Sequence, residues 1–280
     1  MSLSISLVQT NFVISTSDTA ITYFANTDKD IEFLKSIDID AKIGEYFKTD
    51  GYVEKVFPLT DKVLLSSLGN HLLSRTFEVE LANKLSKTDD LQTVRKVAQQ
   101  TLNNILEMKI ENFDSIIDSV SKTLRLHDDE SQSLEDDFYE ILKRLLPKTK
   151  KPADLNRDFS IYIFGFNDDG TTGMVDIRAD KYLPGPKDIE SGYPLVLDGA
   201  APGFSRDPDK YSDHQLALIL PPEYRTVENF IKAITYVHGD ISKNHPINVS
   251  TDCVFHILAN VNSEIEYHKF TIDTSDIFAD

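Results

Sequence analysis

The first eighteen residues read as a β-hairpin, and this feature constrains the fold more than any other in the chain. Apolar residues at positions 3, 5 and 7 alternate with serines, a period of two that is typical of a half-buried strand. Thr10-Asn11 can form a two-residue turn because asparagine tolerates the positive φ that a tight hairpin needs. Phe12 begins a second strand that ends near Asp18. Since chain ends usually fray unless they are tied down, we expect this start to be built into a sheet.

Ser2 is a candidate nucleophile. It is a small residue directly after Met1, the situation in which an initiator methionine is often removed. Removal would leave Ser2 with a hydroxyl and an α-amino group, and an amine with a pKa of about 8 can act as the general base for that hydroxyl. The alternative interpretation is an ordinary second residue, or part of a cloning leader.

The charge of the chain excludes two classes of partner. The 46 acidic and 29 basic side chains give a formal net charge of −17, so nucleic acid and anionic membrane surfaces would both repel the protein. Cys253 is the only cysteine, which excludes an intrachain disulfide and suits a reducing compartment. No basic-then-apolar leader and no apolar run of about 18 residues occur, so we expect a cytoplasmic protein.

Strands and helices occur in separate batches along the sequence, which favours an α+β fold over an alternating α/β fold. The predicted strands cover residues 3–8, 12–18, 51–59, 62–68, 160–166, 174–178, 193–197, 253–260 and 265–272. The predicted helices cover residues 71–85, a long region from 91 to 120 that breaks once, about 133–146, and 227–238.

Several segments carry more specific expectations. The aspartate-rich residues 26–50 read as an insertion, and the acidic residues around 128–130 read as a loop before a helix that starts near Ser133. Gly239 is predicted to end the last helix, which leaves His238 and Asp240 in or beside a polar loop. The seven histidines show no metal-binding spacing, so we expect no metal and no cofactor.

The element order and several short motifs resemble those of the proteasome β-subunit and of bacterial proteasome-like N-terminal nucleophile (Ntn) hydrolases. That family begins a strand at its nucleophile and reaches an aspartate sixteen residues later, as Asp18 follows Ser2. It then has a lysine, and fourteen residues beyond that lysine a small-residue–glycine pair, as Gly69 follows Lys55. Asp198-Gly199-Ala200 falls where the family has a serine–glycine oxyanion loop.

The resemblance implies an architecture as well as an assembly. It implies one four-layer αββα sandwich over residues 1–280, with the insertion at about 26–50 and an extra helix at about 133–146. We expect hairpins 3–18 and 53–68 in one sheet, and 160–178 with 253–272 in or beside the other. It also implies a homo-oligomer, because the family assembles through helices and sheet edges. An apolar stripe on the extra helix is a candidate contact, and it consists of Leu134, Phe138, Ile141 and Leu145.

The resemblance further implies hydrolysis of peptide or amide bonds in a peptide or protein substrate. Ser2 would attack the scissile carbonyl, and its own amine would take the proton. Lys55 would supply positive potential that favours deprotonation, and Asp18 would hold Lys55 in place. The backbone N–H of Gly69 or Gly199 would stabilise the oxyanion.

The sequence also departs from the family, and two function classes stay open. The nucleophile is a serine where proteasomes have threonine, Phe12 stands where a turn glycine is usual, and Asp198 replaces the loop serine. A carboxylate at that place would oppose an oxyanion. The protein is therefore an Ntn hydrolase with a processed Ser2, or a non-catalytic proteasome-like assembly or interaction protein. Loss or retention of Met1 separates the two classes.

Overall fold

The computed structural model describes residues 3–24, 42, 46–155, 159–188, 195–199, 216–244 and 249–278. Within 21–24, 46–52 and 195–199 the description covers the backbone alone. Ser2, Ala200, His245 and most of the predicted insertion lie outside the described residues. Within these ranges no helix is both long and apolar enough to cross a membrane.

The described part of the chain contains twelve strands and five α-helices. The strands are β1 (Ser4–Val8), β2 (Phe12–Ser17), β3 (Ala20–Phe24), β4 (Tyr46–Tyr52), β5 (Val56–Thr60), β6 (Val63–Leu68), β7 (Ser160–Phe166), β8 (Thr172–Asp176), β9 (Lys181–Pro184), β10 (Leu195–Gly199), β11 (Asp252–Val261) and β12 (Glu264–Asp273). The helices are α1 (His71–Ala82), α2 (Leu91–Leu106), α3 (Phe113–Leu124), α4 (Asp128–Leu145) and α5 (Val227–Asn244).

These strands form two five-stranded sheets and one two-stranded sheet. The first large sheet has the order β10-β1-β2-β11-β12, the second has the order β5-β6-β7-β8-β9, and β3 pairs with β4. All pairings among the described strands are antiparallel. The fold is thus a mixed one, with two antiparallel sheets and helices in separate batches of the chain.

The predicted division of hairpins between the sheets is wrong. β2 pairs with β11, so that Ile14 lies opposite Ile257 in the first sheet. β6 pairs with β7, so that Leu65 lies opposite Ile163 in the second sheet. A period of two tells which face of a strand is buried, but strands with the same period can pair with one another in many combinations. The choice of partner depends on packing across the whole molecule.

Three apolar clusters hold the elements together. The first packs α1 to α4 against the second sheet, with Phe77 and Phe138 among its buried side chains. The second packs α5 against the first sheet, with Phe230 and Phe255 at its centre. The third joins residues of both sheets, and it consists of Val8, Val13, Val56, Leu64, Phe164, Phe166, Met174 and Leu258.

The helix boundaries differ from the prediction at two ends. α4 begins at Asp128, five residues before Ser133, and the carboxylate of Glu130 accepts the N–H of His127 at 2.8 Å there. α5 continues past Gly239 to Asn244. Ile241 is 1% exposed, and burying it offsets the cost of about 1 kcal/mol that a glycine adds inside a helix.

The apolar stripe of α4 serves the core of its own chain. Phe138 is fully buried and meets the ring of Phe113 edge to face at a centroid distance of 5.1 Å. Leu134, Ile141 and Leu145 pack against the same cluster. The stripe is therefore used largely within its own chain.

Candidate active site

Asp18 lies at the corner where the chain leaves β2 and enters β3. Three consecutive backbone N–H groups are bonded there to three different acceptors. Asp18 N donates to Leu3 O at 3.1 Å, Thr19 N to Ser250 Oγ at 2.9 Å, and Ala20 N to Asp18 Oδ2 at 3.0 Å. The backbone that carries the Asp18 carboxylate is thus held from both neighbouring strands.

Lys55 reaches this carboxylate from a segment 37 residues away. Its Nζ donates to Asp18 Oδ1 at 2.6 Å, and the two side chains are 6% and 0% exposed. The same Oδ1 accepts the backbone N–H of Leu3 at 2.7 Å. Buried charges need such partners, because an uncompensated ion in the interior is strongly unfavourable. The contact expected between Asp18 and Lys55 is present.

Two backbone bonds fix the segment that carries Lys55. Val53 N donates to Thr19 O at 3.1 Å, which ties the segment to the Asp18 corner. Ser67 N donates to Lys55 O at 2.9 Å, which ties it to β6. The lysine therefore enters the site from a strand end that is anchored on both sides.

The start of β1 lies against this ion pair. Leu3 is the residue bonded covalently to Ser2, and its N–H is one of the three donors to Asp18. Ser4 is buried, and its hydroxyl lies 2.9 Å from that of Ser66 on β6. The structure thus joins Asp18, Lys55 and the first described residues of the chain, and leaves Ser2 outside the description.

The two glycines expected to bind an oxyanion border the same region. Gly69 follows β6, is exposed and has a φ of 111°, a conformation that favours glycine. Gly199 is the last residue of β10 and is the register partner of Ser4, so it lies in a strand where a loop was expected.

His71, two residues after Gly69, lies within electrostatic reach of Lys55. Burial, together with the positive charges of Arg75 and Lys55, lowers the pKa of His71 to about 4. The imidazole is therefore neutral at pH 7.

Sequence reasoning missed Thr19, Ser250 and His238. The Ser250 hydroxyl lies 3.0 Å from Thr19 Oγ1, and its carbonyl lies 2.9 Å from His238 Nε2. The loop predicted around His238 is wrong, because this histidine is fully buried inside α5. The four-residue step from Phe230 through Ile234 to His238 was an available signal. Nothing local to Ser250 indicates its role.

A cavity of about 310 Å³ begins beside Gly69. Five apolar residues and three polar or charged residues line it, and the lining consists of Leu73, Leu145, Leu146, Pro147, Phe159, Asn70, Arg144 and Asp154. No group of three or more histidine, cysteine or acidic side chains among the described residues could hold a metal ion.

At a coarse level, the two antiparallel sheets and the separate batches of helices form a fold that a solved structure shares. The chain is similar to a solved structure of the Gly-1 mutant of Anbu from Hyphomicrobium sp. strain MC1. The similarity covers 99% of this chain and 89% of that chain, with a TM-score of 0.53 and 9% sequence identity. An identity this low establishes the fold alone. No protein-family model and no curated protein sequence matches the chain.

Proposed function

We propose that this protein is a proteasome-like Ntn hydrolase that cleaves peptide or amide bonds in the cytoplasm, with Ser2 as its nucleophile after removal of Met1. One observation carries the proposal. The buried Asp18–Lys55 pair is bonded to the N–H of Leu3, the residue that follows Ser2 in the chain. Nothing local in the sequence brings these three segments together, and a purely structural corner has no need of a buried lysine.

The reaction follows from the chemistry of these groups. The Ser2 hydroxyl oxygen attacks the scissile carbonyl carbon, and the Ser2 α-amine takes the hydroxyl proton. The positive charge of Lys55 lowers the pKa of both groups, and Asp18 holds that charge in place. The α-ammonium then gives its proton to the leaving amine, which leaves an ester on Ser2. Water hydrolyses the ester and restores the hydroxyl.

The oxyanion would be stabilised by a backbone N–H of Gly69 or Gly199. Gly69 is exposed and adjoins the cavity of about 310 Å³, which offers room for one substrate side chain. Preorganised N–H donors of this kind contribute about 3–4 kcal/mol to transition-state stabilisation.

We infer a helix–sheet–sheet–helix order of layers from the three apolar clusters. One cluster lies between helices and the second sheet, one between the two sheets, and one between the first sheet and α5. We further propose a single domain over residues 1–280, with an insertion at about 26–50 and α4 as an added helix. By its resemblance to the family, the chain also forms a homo-oligomer.

The alternative is a non-catalytic proteasome-like assembly or interaction protein. One observation favours it. Asp198 lies one residue before Gly199 and opposite Ile5 in the β10–β1 register, where the family has a serine. A carboxylate close to the oxyanion would raise the energy of the transition state.

Intact mass and turnover together test the hydrolase. The purified chain should lack Met1 and should release the amine from a panel of fluorogenic peptide amides. Ser2→Ala should lower turnover by about a thousandfold or more, and Ser2→Thr should retain a hydroxyl nucleophile and activity. Lys55→Met should lower turnover by about a hundredfold or more.

The matched control is Lys62→Met. Lys62 pairs with Asp168 at 2.7 Å, but the two side chains are 29% and 76% exposed, so this variant should keep full turnover. Retention of Met1 in the purified protein would contradict the hydrolase. Equal losses of turnover in Lys55→Met and Lys62→Met would contradict a special role for the buried pair.

A further inference from the structure

His238 is a buried histidine whose tautomer follows from its hydrogen bond to the Ser250 carbonyl. The residue lies in α5 and is fully buried, and its Nε2 lies 2.9 Å from the carbonyl oxygen of Ser250. A carbonyl oxygen can only accept, so Nε2 must carry a hydrogen and donate it. The other ring nitrogen, Nδ1, has no hydrogen-bond partner among the described residues. Burial lowers the pKa of His238, so the neutral Nε2–H form is present at neutral pH.

Ser250, which accepts the hydrogen bond from His238, also bonds to Thr19 at the Asp18 corner. Ser250 Oγ accepts the backbone N–H of Thr19 at 2.9 Å and lies 3.0 Å from the Thr19 hydroxyl. Ser250 is 7% exposed and precedes β11, so its carbonyl cannot turn to bulk water without moving the segment. The donor on His238 therefore fixes the orientation of the Ser250 peptide, and the Ser250 hydroxyl follows that peptide.

Movement of Thr19 necessarily moves Asp18, the residue before it. The Asp18 carboxylate meets Lys55 Nζ at 2.6 Å, and a contact this short fails when the corner rotates by a small angle. Beside the larger effect of burial, the charge of Asp18 raises the pKa of His238 and the charge of Lys55 lowers it. A misplacement of about 1 Å at a reacting centre can cost about a hundredfold in rate.

We propose that His238 is a positioning residue for the Asp18–Lys55 pair. It acts from α5 through the Ser250 carbonyl and the Thr19 backbone. The proposal rests on the proposed hydrolase for its consequence in turnover. The effect of His238 on the position of the Lys55 ammonium can be measured whether or not the chain is an enzyme.

His256 offers a matched control. It is also fully buried, it lies on β11, and its Nδ1 lies 2.9 Å from the Tyr267 hydroxyl. The charges that act on it are those of Lys269 and of Glu54, the residue before Lys55, whereas its hydrogen bond goes to Tyr267. Replacing His256 thus removes a buried imidazole from the first sheet without removing a bond to the Asp18 corner.

The first readout is the NMR signal of the Lys55 side-chain ammonium in the full chain, assigned by its loss in Lys55→Met. His238→Leu removes the donor to Ser250 and should shift or broaden this signal. His238→Asn retains an N–H donor and should restore much of it, while His256→Leu should leave it unchanged. Should His238→Leu fail to fold by circular dichroism, the comparison of His238→Phe with His256→Phe decides, because phenylalanine keeps a ring but has no N–H donor. Equal effects at the two histidines, or no effect at either, would overturn the proposal.

The second readout is turnover of the same fluorogenic peptide amides. His238→Leu should lower kcat by about a hundredfold and leave KM within about twofold, because substrate contacts are unchanged. His238→Asn should recover at least about tenfold of that loss. Absence of turnover in the unmodified chain would refute the hydrolase alone, since the ammonium signal still tests His238. Loss of turnover in His256→Leu as large as in His238→Leu would refute the positioning role.

Discussion

Buried ionisable side chains in this protein are either surrounded by partners or kept neutral. The Asp18 carboxylate accepts two backbone N–H groups and the Lys55 ammonium, and it keeps its place at 0% exposure through those bonds. His238 and His256 have one hydrogen bond each and are neutral because burial lowers their pKa values. The pair therefore keeps two opposite charges in the interior, whereas both histidine rings are uncharged.

Because His256 is neutral in the folded protein, we expect acid to lower the free energy of unfolding. Burial and the positive charge of Lys269 lower its pKa from 6.5 to about 4 in the folded protein. Above pH 6.5 the His256 ring is unprotonated in both the folded and the unfolded chain, so its pKa shift does not affect stability. As the pH falls from 6.5 towards 4 the unfolded chain binds it first, and about 3 kcal/mol of stability is lost.

His256→Gln should therefore flatten the dependence of unfolding free energy on pH between 6.5 and 4. Urea denaturation at several pH values measures this slope. His268→Gln is the control, because His268 lies on the exposed strand β12 with its side chain 55% exposed. An unchanged slope in His256→Gln would contradict the prediction.

At the scale of elements, α3 depends on a residue of another helix for its beginning. Asn112, the residue before α3, makes no side-chain capping bond. Glu80 of α1 lies nearby with 0% exposure, and its Oε1 accepts the backbone N–H groups of Glu111 at 2.8 Å and Asn112 at 2.6 Å. One buried carboxylate thus joins two helices.

Glu80→Ala should destabilise the protein by about 3 kcal/mol, because it leaves two N–H groups without their charged acceptor. Asp90→Ala is the comparison, since Asp90 caps α2 through a single exposed bond to Thr93 N at 2.9 Å and should cost about 1 kcal/mol. Chemical denaturation measures both. A cost for Glu80→Ala no greater than that for Asp90→Ala would contradict the capping role.

Local signals located most elements and misplaced some of their ends. The start of α2 was predictable because Asp90 caps it with its own side chain, a bond between residues three apart. The start of α4 was not, because His127 is an unusual N-cap residue and Ser133 has the side chain of a typical one. The end of α5 was missed because burial against the first sheet overrides the local signal of Gly239.

For the whole molecule, we expect self-association that strengthens with salt. The family resemblance implies an oligomer, and the net charge of −17 makes copies of the chain repel one another. Added salt screens that repulsion, since the Debye length falls from about 10 Å at 0.1 M to about 3 Å at 1 M. Sedimentation at micromolar concentration should show species above 31.7 kDa that increase with salt. A monomer alone at both salt concentrations would contradict the prediction.

The sequence by itself determined the helices, most of the strands and their separation into batches, although it did not predict β3 or β9. It did so because a period of two or of 3.6 and a capping bond each involve residues only a few positions apart. The tertiary structure alone decided that β2 pairs with β11 and β6 with β7, and that His238 lies within bonding distance of Ser250. The contact of Lys55 with Asp18 was foreseeable only through a family resemblance. Contacts between distant segments depend on which surfaces bury one another, and no local pattern contains that choice.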